Sequence, residues 1–237
     1  MFPKAAGLSH TRPSPFPEIH NVSDTLGIDP DIADVIKRIG PCRLRGQDGA
    51  TPYQALLRAI TGQQLHGRAA EAILGRFKAL SDGDFPPPEV LLSYPDPTLR
   101  ACGLSAAKIL AMRGVAQARL DGIVPGREEA ARLTDEELIA RLITLRGVGR
   151  WTVQMILMFT LGRPDVMPID DFGVRAGWKT VKKLHVPPTP KTLAAATERF
   201  APHRSALAWY LWRVAGEGRN WTNPLTGDVS ASPPTSP

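Results

Sequence analysis

The chain has 237 residues, 43% of them hydrophobic, and a formal net charge of +6. That length supports one large domain or two small lobes around a real apolar core. No apolar run is long enough to span a bilayer and the N-terminus lacks a signal-peptide core, so neither a membrane partner nor export is expected, and the expected location is cytoplasmic, nucleoid-associated in a bacterium.

Two cysteines, Cys42 and Cys102, are too few for a disulfide scaffold or a four-cysteine iron–sulfur cluster. Neither sits in a CxxC pair, and both read as small buried hydrophobes. The basic balance favours a polyanionic partner.

The first thirty or so residues are rich in Pro, Ser and His and read as a loose arm; the last ten, 228–237, read as a disordered tail. DIADVIKRIG predicts a short helix closed by Gly40. The run from Thr51 to Leu80 predicts two helices broken near Gly62, with Leu65, Ala69, Ile73 and Phe77 sharing one face of the second. Ser105 caps a helix in which Ile109, Met112 and Val115 recur at helical spacing. Thr134 and Glu137 form a capping box opening a helix that ends near Leu145. The next helix runs from Arg150 to Leu161, and Asp170 or Asp171 caps another that runs toward Lys183. PTPKTLAAATERF and HRSALAWYLWRVAG supply the last two helices. No stretch alternates as a strand would and no repeat is present, so the class is all-α.

Between two of these helices stands LRGVGRWT. Gly147 and Gly149 can take positive φ without a Cβ clash and close a tight hairpin. The helix from Arg150 starts with N–H groups that lack intrahelical partners and with the positive end of its dipole. The backbone around Val148 and Gly149 can therefore meet a phosphate. Inner carbonyls of such a turn can collect a hard monovalent cation. An ordinary helix connection with glycine caps would look the same at this point.

Four segments in order, ITGQQL, LRGVGRWT, MPIDDFGVR and HRSALAWYLW, resemble the helix-hairpin-helix superfamily of DNA glycosylases, and within it the 3-methyladenine DNA glycosylase II branch. The resemblance spans Tyr53 to Gly216. The chain ahead of Tyr53 is too short for the extra N-terminal α/β domain of the larger bacterial members. The resemblance implies two helical lobes with a cleft between them. Residues 51–171, with the hairpin at about 134–161, form one lobe. Residues 1–50 pack with 172–237 as the other.

The residue roles below are those the resemblance implies. Asp171 matches the catalytic aspartate, whose fixed charge stabilises an oxocarbenium-like sugar and orients or deprotonates the attacking water. Trp151 stands where the superfamily's lyases carry a Schiff-base lysine, which implies a monofunctional enzyme. Trp151, Trp212 and Phe172 would line a base pocket that binds cationic alkylated purines by stacking and cation–π attraction. Met155 occupies a position the family gives to tyrosine. Gln63, Gln64 and Leu65 match the segment that fills the gap left by a flipped nucleotide, with either Gln64 or Leu65 inserting. Gly147, Val148, Gly149 and Arg150 would meet the DNA backbone, as would Lys108 and Arg175. Arg146 replaces a frequent proline. The carbonyls of Ile143, Leu145 and Gly147 match those that hold Na+ or K+; no other cofactor is required. Trp209 and Trp221 read as core, and His66 and His203 have no catalytic part.

The implied function is hydrolytic release of 3-methyladenine-type purines from damaged double-stranded DNA by a monomer. The alternatives are a glycosylase for deaminated or exocyclic-adduct bases, a catalytically silent DNA-binding module, and a helical protein-interaction scaffold.

Overall fold

A computed structural model describes residues 19–65 and 67–216. Among these residues every regular element is helical. The helices are α1 (Ile19–Gly27), α2 (Pro30–Ile39), α3 (Pro52–Gly62), α4 (Gly67–Ala79), α5 (Pro88–Ser93), α6 (Asp96–Ala101) and α7 (Ala106–Leu120). They continue as α8 (Arg127–Arg132), α9 (Asp135–Leu142), α10 (Arg150–Phe159), α11 (Phe172–Val181), α12 (Pro190–Thr197) and α13 (Arg204–Ala215), with a 3-10 turn at Glu198–Phe200.

Local chemistry sets most of the starts. Asp29 accepts from the N–H groups of Asp31 and Ile32 at the head of α2. Thr51 with Gln54 and Thr134 with Glu137 form reciprocal capping boxes on α3 and α9. Ser105 caps α7, and of the two candidate aspartates it is Asp171 that caps α11.

Three expectations are corrected. Part of the segment read as a loose arm is helical: α1 packs on α2, and its Leu26 is buried. The six-residue helices α5, α6 and α8 went unread because fewer than two turns give no measurable period. The buried face of α4 runs through Leu74 and Phe77, while Ala69 and Leu65 face solvent and Leu65 precedes the helix. The 228–237 tail and Trp221 lie outside the described residues.

Packing places α3 against α4, α7 and α10, with α5 and α6 on α7 and α9 on α10. A second group forms where α11 lies along α13 and α2 covers both. One apolar cluster runs through both groups. The α11–α13 crossing is close because of Gly177, where a Cβ would fall 2.0 Å from the carbonyl oxygen of Leu211. At the far end of α11, Lys182 bonds both oxygens of Asp29 at 2.5 and 2.6 Å, and Arg199 joins them.

The connection from α10 to α11 is held from α13. Arg204 forks onto both oxygens of Asp165 at 2.7 Å each, and the Ser205 hydroxyl bridges the Arg163 carbonyl and the Val166 N–H. Met167 and Pro168 then carry a buried chain to Asp171.

Candidate active site

The hairpin lies between α9 and α10. Gly147 has φ +79°, a left-handed value that favours glycine. Gly149 does not need that freedom, because its φ is −98° and it serves as the cap residue of α10. The N–H of Val148 turns inward to the Leu145 carbonyl at 3.1 Å, and its side chain is buried. The Val148 N–H is thus engaged within the turn, whereas the N–H groups of the first turn of α10 have no intrahelical acceptor. Arg146 and Arg150 are exposed beside that turn, and Arg150 meets Glu136 at 2.5 Å.

The Leu145 carbonyl accepts from Val148, and the Gly147 carbonyl accepts from Gln63 Nε2 at 2.9 Å. A carbonyl has two lone pairs, so both keep one for a further partner. Ile143, the third residue of the expected cation set, is exposed.

Gln63 caps the end of α3, and Gln64 adopts φ +59°, a backbone that non-glycine residues rarely take. Gln64 and Leu65 are both exposed at the tip of this turn, beside the hairpin to which Gln63 ties it. Lys108 is committed elsewhere: its Nζ donates to the Thr61 carbonyl at 2.7 Å and closes the C-terminal end of α3. Burial also pushes its pKa down. Arg175 is likewise engaged, donating through Nε to the Pro188 carbonyl at 2.8 Å. Each clamps the backbone through one donor and keeps further N–H groups for another partner.

Three helices meet at Asp171. Its Oδ1 accepts from the Val174 N–H and from Trp212 Nε1, each at 2.8 Å, and its Oδ2 accepts from Trp151 Nε1 at 2.7 Å. Trp151 comes from the start of α10 and Trp212 from the end of α13. All three donors are neutral, and among the described residues no cation pairs with the carboxylate. Trp151 is 41% exposed and Trp212 only 4%, with the Phe159 ring 5.8 Å behind it.

The expected base pocket thus changes in detail. The N–H edges of both indoles are turned to the carboxylate, and Trp151 is the one of the two that remains exposed. Met155 is 0% exposed and can only back the site from the core of α10. Phe172, the first residue of α11, is 79% exposed among the described residues. Asp170 is exposed next to the site. Trp209 is buried as expected, under the Arg213 guanidinium. His203 is buried at the start of α13, and His66 lies outside the described residues. A polar cavity of about 310 Å³ opens elsewhere, at the opposite end of α10, lined by Gln47, Arg58, Lys78 and Thr160 among others.

Gly173, Gly177 and the Gln63–Gly147 bond escaped the sequence reading. No local signal marks them, since each depends on a partner distant in the chain. Gly173 stands inside MPIDDFGVR, and Gln63 and Gly147 inside ITGQQL and LRGVGRWT, but those segments do not show the contacts.

Against this geometry the comparisons are informative. The model of the HhH-GPD superfamily base excision DNA repair proteins matches residues 57–203. The DNA-3-methyladenine glycosylase 1 of Schizosaccharomyces pombe is 44% identical over 191 residues, which is 80% of this chain and 84% of the relative. The solved structure of the S. pombe 3-methyladenine DNA glycosylase in complex with abasic DNA has a TM-score of 0.74 at 42% identity, over 81% of this chain and 95% of that one. A DNA-3-methyladenine glycosidase from Bacillus halodurans superposes with a TM-score of 0.73 at 31% identity, over 82% of this chain and 88% of its own. With the hairpin, the helix-capping aspartate and these matches on one chain, it belongs to the HhH-GPD superfamily of base excision DNA repair proteins.

Proposed function

We propose that this protein is a monofunctional DNA glycosylase that releases alkylated purines of the 3-methyladenine type from damaged duplex DNA, acting as a monomer in the compartment that holds the DNA. The observation that carries the reading is Asp171, an anionic side chain oriented by three neutral N–H groups beside the half-exposed face of Trp151.

The extruded nucleotide enters between the α3–α10 group and the α2, α11 and α13 group. Gln64 and Leu65, on their exposed turn, fill the gap it leaves, offsetting an unstacking cost of a few kcal/mol. The hairpin and Arg150 hold the adjacent phosphate. An alkylated purine carries positive charge, and stacking on the electron-rich indole of Trp151 contributes about 0.5–2 kcal/mol. Such a base leaves readily, so protonation by a strong acid is not needed.

The N-glycosidic bond breaks with its electron pair going to the base, and positive charge builds on the sugar. Asp171 stabilises that charge and orients the water that adds at the anomeric carbon. The water proton passes to the carboxylate or to solvent, and the products are free base and an abasic site. No amine nucleophile replaces water, because Trp151 occupies the place of a lysine. A Na+ or K+ bound by the carbonyls of Ile143, Leu145 and Gly147 would add positive charge at the phosphate.

The test is base release from methylated duplex DNA, set beside duplexes with neutral lesions. Release of 3-methyladenine by the wild type and none by Asp171→Asn supports the reading. Preference for a neutral deaminated base would replace the substrate class, and lesion-blind binding without turnover would replace the enzyme with a binding module.

A further inference from the structure

Gly173 is the second residue of α11, two positions after Asp171. Its φ lies outside the left-handed range, so no turn geometry asks for glycine. Inside a helix glycine is disfavoured against alanine. The reason for it is steric. A Cβ at Gly173 would stand 2.8 Å from Cδ1 and 3.3 Å from Nε1 of Trp212, and 3.2 Å from Oδ1 of Asp171. Those are the two groups joined by the 2.8 Å hydrogen bond.

Both partners are held by further contacts. Trp212 is buried with Phe159 behind it, and its neighbour Leu211 is pressed against Gly177 one turn further along α11. Asp171 Oδ1 is also held by the Val174 N–H. A methyl group at position 173 must therefore push the indole edge and the carboxylate apart.

We infer that Gly173 is a positioning residue for base release: by carrying no side chain it admits the edge of Trp212 to Asp171 and so sets how the carboxylate faces the sugar. This rests on the reading of Asp171 given above. Charge stabilisation of a reacting centre is steep in distance, and a displacement of about 1 Å costs on the order of a hundredfold in rate.

The experiment compares Gly173→Ala, Trp212→Phe and the double variant in the full chain. Gly173→Ala is expected to keep its circular dichroism spectrum and its affinity for an abasic-analogue duplex. Its single-turnover release of 3-methyladenine should fall about ten- to a hundredfold. In the Trp212→Phe background, where no indole N–H remains to be displaced, the same substitution should cost less than about threefold, the non-additivity of residues acting through one contact. The indole 1H–15N signal of Trp212, assigned by its loss in Trp212→Phe, should move in Gly173→Ala. Wild-type rate in Gly173→Ala, an equal loss in both backgrounds, or an unmoved indole signal each overturns the inference. If no variant and no wild type releases base, the reading of the function fails instead, and the indole signal still decides whether Gly173 governs the contact.

Discussion

Asp29 and Asp171 are built alike and put to opposite uses. Each caps a helix, α2 or α11, and each accepts backbone N–H groups there. Asp29 is 2% exposed and is met by two cations, Lys182 and Arg199. Burial pushes its carboxyl pKa up, but the Lys182 bond, the Ile32 N–H and the nearby charges outweigh it and hold it below the ordinary value. Its charge is cancelled where it stands, and the result is a clamp joining α2, α11 and the 3-10 turn. Asp171 receives three hydrogen bonds, from two indoles and a backbone amide. Those donors orient the carboxylate and leave its unit charge uncancelled, which is what a developing cation on a sugar requires. What separates the structural carboxylate from the chemical one is the formal charge of the donors: cations cancel the first, and neutral groups orient the second.

The sharpest way to break this comparison is to neutralise each carboxylate. Asp171→Asn should lower base release about a thousandfold with little change in melting temperature, since Asn still caps α11. A variant that loses stability and keeps its rate would reverse the assignment. Asp29→Ala should do the opposite, costing about 3 kcal/mol in urea unfolding while activity per folded molecule is retained. Gly177→Ala probes the α11–α13 contact that lies between the two carboxylates. Its methyl group would collide with the Leu211 carbonyl, at a cost of about 2 kcal/mol in the same measurement. Trp151→Phe keeps the ring and removes one neutral donor from Oδ2, which should slow single-turnover release about tenfold.

The smallest effect is in pH. Asp29 has a folded pKa below its unfolded value, so its stabilisation is complete above about pH 4 and is lost as pH falls through the lower folded value. The stability gap between wild type and Asp29→Ala should close on acidification. Lys182 has the opposite sign. Burial lowers its pKa, but its bonds to Asp29 and Asp31 outweigh that and raise it. Its contribution therefore persists through neutral pH and is lost only as pH rises beyond the ordinary lysine range. A gap that is flat with pH would remove the ion pair from the account of Asp29.

Much of this molecule is written locally. Thr134 and Glu137, Ser105 and Lys108, and Asp171 and Val174 all meet within four positions along the chain, and such pairs are legible without a fold. The spacing of Ile109, Met112 and Val115 likewise foretells a face that is buried. What was misread is what lacks a local mark. The six-residue helices have no period, and α1 takes its place by packing on α2. Lys108 and Arg175 look like surface cations in the sequence, and their bonds to the distant carbonyls of Thr61 and Pro188 are visible only in the fold. The two tryptophans were legible as site residues through the motifs around them, but not the way their N–H edges converge on one carboxylate.

The sequence by itself determined the all-helical class, the helix caps, the hairpin and the candidate aspartate, because hydrophobic period and capping act over a few neighbouring residues. Only the tertiary structure decided which atoms surround that aspartate. The contact of Trp151, Trp212 and Gly173 at Asp171 depends on how α10, α11 and α13 cross, and close packing across those helices sets that crossing, through Gly177 at the Leu211 backbone.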